Sequence, residues 1–112
     1  MKACLALVLV AVLGCSSDPS GGSVEGPKIF DTMCTSCHGR LGKPTEAMVA
    51  QLNVRDLTSP ELRAKVTPAL VENQVRKGSK NKLMPAFEGA MTDVQIKAVA
   101  AYVASPAFLE RR

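Results

Sequence analysis

Cys34-Thr35-Ser36-Cys37-His38 sets two thiols three positions apart, with an imidazole directly after the second. This is the C-x-x-C-H pattern of covalent haem attachment. The chemistry explains the spacing. The two cysteines can add across the two vinyl groups of one porphyrin, and the histidine that follows then falls beneath the iron as an axial nitrogen ligand. Other uses of a paired cysteine need features this chain lacks. A thioredoxin-like redox pair needs a βαβ setting, and no alternating or β-branched run flanks Cys34. A closed zinc site needs four ligands. His38 is the only histidine and the remaining cysteines, Cys4 and Cys15, lie in the first fifteen residues, so the motif offers three at most. A disulfide between Cys34 and Cys37 would leave the adjoining histidine without a role.

The segments that must position this motif read as helices. Ile29, Phe30, Met33, Cys34 and Cys37 fall on one helical face, with Pro27 suited to a first turn. The pattern predicts one helix that delivers both cysteines to the core. Gly39 to Pro44 is rich in turn formers and ends that helix. Thr58-Ser59-Pro60-Glu61 reads as a capping box, with Thr58 as the capping residue. Thr67-Pro68 opens a helix carrying Leu70, Val71 and Val75. Arg76 and Lys77 complement its C-terminal dipole and Gly78 stops it. Thr92 and Gln95 cap a last helix whose Ile96, Val99, Ala100 and Val103 form one apolar stripe. No strand pattern and no internal repeat appears, so the expected fold class is all-α.

The chain has 112 residues and a formal net charge of +4, a length that fits one domain. Lys2 is followed by an apolar or small run from Ala3 to Gly14. As a helix this run covers about 18 Å, well short of the ~30 Å hydrocarbon core, and reads as a signal peptide. It ends Val12-Leu13-Gly14-Cys15, which resembles the bacterial lipoprotein box, with Cys15 as the residue to be diacylated. The plainer alternative is an ordinary cleaved signal with an incidental cysteine. Ser16 to Ser23 is a Ser/Gly/Pro tether. The expected division is residues 1–14 signal peptide, 15–25 lipidated cysteine and tether, and 26–112 folded domain. Roughly 85 folded residues make a marginal protein core, and Tyr102, Phe30, Phe87 and Phe108 are the only aromatic residues. A large flat cofactor would supply apolar volume that the side chains lack. No basic run is interleaved with aromatics as a single-strand binder requires, so nucleic acid is not an expected partner.

A second axial ligand cannot be histidine. Met1 leaves with the leader, Met33 shares the helix of the attachment cysteines, and Met48 and Met91 suit packing, the default role of methionine. Met84 differs because Pro85 pushes it out of helical geometry into an extended loop. Its plainer reading is a buried loop methionine.

Gly26 with Phe30, the C-x-x-C-H motif, Met84-Pro85-Ala86-Phe87 and Tyr102-Val103 occur in one order. In that order, over about residues 26–106, the chain resembles the class I mono-haem c-type cytochromes of small bacterial type. The resemblance implies four to five short helices wrapped around one covalently bound haem c. It makes Cys34 and Cys37 the thioether residues, His38 the proximal iron ligand and Met84 the distal one. The carbonyl of Pro44 is the candidate acceptor for the far nitrogen of His38. The implied work is one-electron transfer in a bacterial envelope chain, on the periplasmic side and lipid-anchored, by a monomer that is not itself an enzyme. Redox partner proteins are expected, with Arg76, Lys77, Lys80 and Lys82 as a docking run for an acidic surface. The alternatives are a haem sensor or gas-binding protein with Met84 off the iron, or an electron-accepting subunit of a larger oxidoreductase.

Overall fold

Helix formation starts where the Ser/Gly-rich tether ends. The computed structural model describes residues 22–111. The proposed leader and Cys15 lie outside the described residues. Helix α1 spans Gly26–Met33, with Pro27 in its first turn, where an amide partner is not required. A second short helix, α2, covers Thr35–His38. The single helix expected across the motif is therefore two, with a break at Cys34 (φ −119°). The Thr35 hydroxyl donates to the Asp31 carbonyl at 2.8 Å, giving that acceptor a side-chain partner in place of a helical amide.

The sequence reading gave no helix between the motif and Thr58, yet α3 occupies Glu46–Leu52. Thr45 caps it and Asn53, in the left-handed region, ends it. Helix α4 is Pro60–Arg63 and its cap is Ser59. Thr58, the expected cap, instead gives both its amide and its hydroxyl to Asp56 Oδ1, at 2.8 and 2.6 Å. An aspartate two residues upstream outcompetes the helix end for those groups. Helix α5 (Pro68–Lys77) starts at Thr67 and stops at Gly78. Helix α6 (Asp93–Ala104) has the full capping box of Thr92 and Gln95, and a 3-10 segment follows at Pro106–Glu110. Among the described residues the only β feature is an isolated bridge between Glu88 and Met91.

The core forms where α1 crosses α6. Gly26 permits the crossing: a Cβ there would stand 2.6 Å from the Ala98 carbonyl oxygen and 2.6 Å from Tyr102 Cβ. Ile29 and Phe30 then pack with Val75, Met91, Ile96, Val99, Val103 and Phe108. Phe30, Tyr102 and Phe108 meet edge to face, with ring centroids 5.0 to 6.4 Å apart, a geometry their quadrupoles favour. Two arginines close this cluster. Arg63 donates to the Val103 and Ser105 carbonyls at 2.8 and 3.0 Å, satisfying the end of α6. Arg111 lies over Phe30 and donates to Tyr102 Oη, to Asp31 and to the Arg40 carbonyl. The end of the described chain is thus tied to α1 and to the loop just beyond His38.

Gln95, the buried polar residue of α6, is satisfied on both sides. Its Oε1 accepts from Thr92 N–H at 2.9 Å and its Nε2 donates to the Ser23 carbonyl at 3.0 Å. Helices α2 and α3 contribute no buried residue to the core. The protein core therefore lies to one side, and the elements that carry the chemical groups flank it.

Candidate haem site

The attachment motif sits on the core's flank. Cys34 and Cys37 are free, partly buried thiols, and Cys34 packs directly against the core cluster. Burial pushes the Cys34 thiol up to about 12, against an opposing pull from the Arg111 guanidinium. Before a haem is attached, burial therefore favours the protonated thiol over the thiolate.

His38 ends α2 and is partly buried. Its Nδ1 lies 3.0 Å from the Arg55 carbonyl oxygen. A carbonyl can only accept, so Nδ1 carries the proton and Nε2 keeps a free lone pair. Burial lowers the imidazole's pKa below its ordinary value, partly offset by the Arg55 carbonyl. Burial favours the neutral imidazole, and the hydrogen bond to the Arg55 carbonyl selects the tautomer whose lone pair is on the nitrogen that a metal would take.

The acceptor is not Pro44, as the resemblance implied. Pro44 is buried, but the chain runs past it through α3 before returning. The return is fixed by the Leu57 amide, which donates to the Gly42 carbonyl at 2.9 Å. That closure brings residue 55, rather than 44, back to the histidine. A backbone acceptor of this kind leaves no mark in residue identity, so no sequence signal could have named Arg55.

Met84 lies in the loop between α5 and α6, partly buried, against the same core cluster as Cys34. The loop is docked on the end of α5 by Phe87 N–H to the Val75 carbonyl (2.9 Å) and Glu88 N–H to the Arg76 carbonyl (3.3 Å). Of the other methionines, Met91 is in the core and Met33 packs beside it. Met48 is partly buried on α3. Within the expected docking run, Arg76 is already engaged. It bonds Glu72 at 2.9 Å and Asp93 at 2.8 Å, and the hydrogen bond from Arg76 lowers the pKa of Asp93. Lys77, Lys80 and Lys82 stand exposed.

Whether a haem fits is tested by what the fold leaves uncovered. Leu41, Val49, Leu70 and Leu83 remain 41% to 48% exposed, and Met33, Leu57, Val71, Met84 and Phe87 are only partly covered around the core. Among the described residues no three His, Cys, Asp or Glu side chains converge to hold a bare ion. The donors available are two thiols, one oriented imidazole nitrogen and a thioether, the set that suits a covalently held haem iron. These residues fit the group.

Comparison with known proteins agrees. Residues 24–103 match the family described as cytochrome c oxidase, cbb3-type, subunit III. The chain is 39% identical over 88 residues to cytochrome c6 of Anabaena variabilis, covering 79% of this chain and 95% of that protein. Among solved structures, the KustC0563 c-type cytochrome aligns with a TM-score of 0.63 at 28% identity. That alignment covers 71% of this chain and 94% of the other. A tyrosine-to-phenylalanine variant of the same protein aligns with a TM-score of 0.62, also at 28% identity, over 72% and 96%. A helical fold flanked by a C-x-x-C-H motif defines a class of covalent haem proteins. The chain belongs to this cytochrome c family, as a small class I c-type cytochrome. Its cofactor is one covalently attached haem c, and its role is that of an electron carrier.

Proposed function

We propose that this chain carries single electrons in a bacterial envelope chain through a haem held by Cys34 and Cys37, with His38 and Met84 as the axial ligands. The observation that carries the reading is the His38 tautomer, fixed by the Arg55 carbonyl at 3.0 Å. A hydrogen-bonded ligand histidine is both oriented and made more basic. Met84 supports it by lying against the same core cluster as Cys34. The bound haem supplies reversible ferric/ferrous exchange, and a thioether ligand raises its potential relative to two nitrogens. With both axial positions filled by side chains, no site is left for a substrate. The protein's part is to hold both ligands in an apolar surround that changes little between the two redox states.

Lys77, Lys80 and Lys82 flank the Met84 loop and are the exposed charges suited to an acidic redox partner. Between 0.01 M and 0.1 M salt the Debye length shrinks from roughly 30 Å to about 10 Å. Bimolecular electron-transfer rates with an acidic partner protein should therefore fall several-fold over that range, and fall again in a Lys80→Gln, Lys82→Gln variant. A rate indifferent to both changes would assign these lysines to solubility alone.

Cys15 is the proposed lipid anchor, motivated by its position at the end of the apolar run. Among the described residues no helix is long and apolar enough to cross a membrane. Fatty-acid label should enter the wild-type protein in a bacterial host and be lost in Cys15→Ala. Wild-type protein without label would leave an unanchored periplasmic form. A second reading, a subunit of a larger oxidase, is favoured by the description of the matching family. It predicts co-purification with a membrane complex, which a free carrier would not show.

A further inference from the structure

Met84 lies in a loop rather than on a helix, so something other than a helical ladder must hold its backbone. We propose that Ser79 is the positioning residue that locks Met84 in its ligating place, an inference that rests on Met84 being the distal ligand.

Helix α5 stops at Gly78, whose φ of 68° lies in the left-handed region. A Cβ at Gly78 would collide with the Met84 carbonyl oxygen and stand 2.8 Å from the Ala86 nitrogen. The ligand loop thus folds back onto the helix end through space that only a glycine leaves. The next residue then grips both backbone groups of Met84. Ser79 N–H donates to the Met84 carbonyl at 3.0 Å, and Ser79 Oγ accepts from Met84 N–H at 3.0 Å.

The hydroxyl is itself aimed. Its proton goes to Asn81 Oδ1 at 2.6 Å, leaving an oxygen lone pair for Met84. Asn81 Oδ1 also accepts from Leu83 N–H at 3.1 Å. Lys82, in the left-handed region at φ 61°, completes the turn by donating its amide to the Ser79 carbonyl at 3.0 Å. Residues 79 to 84 therefore close on themselves, with the Ser79 side chain as the one link that reaches the Met84 amide. Removing it frees that amide and loosens the backbone from which the thioether projects.

The equilibrium between iron-bound and released Met84 can be read by competition. Added imidazole takes the sixth position of the oxidised holoprotein only when Met84 leaves, and the sulfur-to-iron charge-transfer band reports that departure. Ser79→Ala should bind imidazole about five- to tenfold more tightly than wild type, as expected for one lost hydrogen bond. Ser79→Thr, which keeps the hydroxyl, should stay within about twofold, and Asn81→Ala should fall between. Haem attachment and far-ultraviolet circular dichroism should be unchanged in all three. If Ser79→Ala fails to accumulate as holoprotein, Asn81→Ala carries the same comparison. A wild-type band with unaltered imidazole affinity in Ser79→Ala and Asn81→Ala would overturn the role of Ser79 while leaving Met84 as ligand. A wild-type protein without the band would overturn the Met84 assignment and the inference with it.

Discussion

Cys34→Ala combined with Cys37→Ala should yield a protein from which all haem extracts into acidified organic solvent, and which no longer unfolds cooperatively. Loss of both thioethers is the chemical effect. The structural effect follows from how little of the chain the protein core holds. Buried apolar side chains come chiefly from α1 and α6, with single contributions from Leu62, Val75, Met91 and Phe108. Leu41, Val49, Leu70 and Leu83 stay roughly half exposed. Each of them that the haem covers would contribute about 1 kcal/mol. A domain of this size has only about 5–15 kcal/mol in total. Solvent extraction measures the attachment and circular dichroism through a denaturant titration measures the folding. Haem that stays covalently bound in the double variant would exclude these cysteines as its attachment points.

Met84→Ala should leave the haem attached but open one iron position. Cys34, Cys37 and the Arg55 carbonyl behind His38 are untouched by the change, so the proximal side keeps its geometry. The oxidised iron should become largely high-spin or take up water or added imidazole, and the potential should fall with loss of the thioether. Met91→Ala provides the contrast. Met91 is a core residue, so its truncation should cost about 2–5 kcal/mol of stability and leave the iron spectrum alone. Magnetic resonance of the reduced protein, where a bound methionine methyl is strongly shifted, distinguishes the two. A shifted methyl that survives in Met84→Ala and disappears in Met48→Ala or Met91→Ala would move the ligand elsewhere.

The parts of the fold that were legible in the sequence are those governed by local chemistry. Thr67 and Gly78 mark both ends of α5, and the Thr92–Gln95 box marks the start of α6, because capping is decided within one turn. The resemblance of Gly26 and Phe30 to the family's first helix corresponds to a close crossing of α1 and α6, where a side chain at position 26 has no room. What stayed hidden depends on competition or on return of the chain. The break at Cys34 goes with the Thr35 hydroxyl on the Asp31 carbonyl, and the cap at Ser59 with Asp56 holding Thr58. The support of His38 comes from a carbonyl seventeen residues on, delivered by the Leu57–Gly42 closure. Ser79 was hidden inside a run that reads as basic. Its neighbours' charges are conspicuous, whereas its own hydrogen bonds are evident only in the folded loop.

The central claim is a covalently attached, six-coordinate haem with His38 and Met84 as axial ligands. The optical spectrum of the purified wild-type protein, oxidised and reduced, tests it most directly. The account predicts a low-spin c-type spectrum in both states and a weak sulfur-to-iron charge-transfer band in the oxidised protein. It also predicts that the reduced protein does not change on exposure to carbon monoxide. A high-spin spectrum without the sulfur band, with prompt carbon monoxide binding to the reduced form, would contradict it.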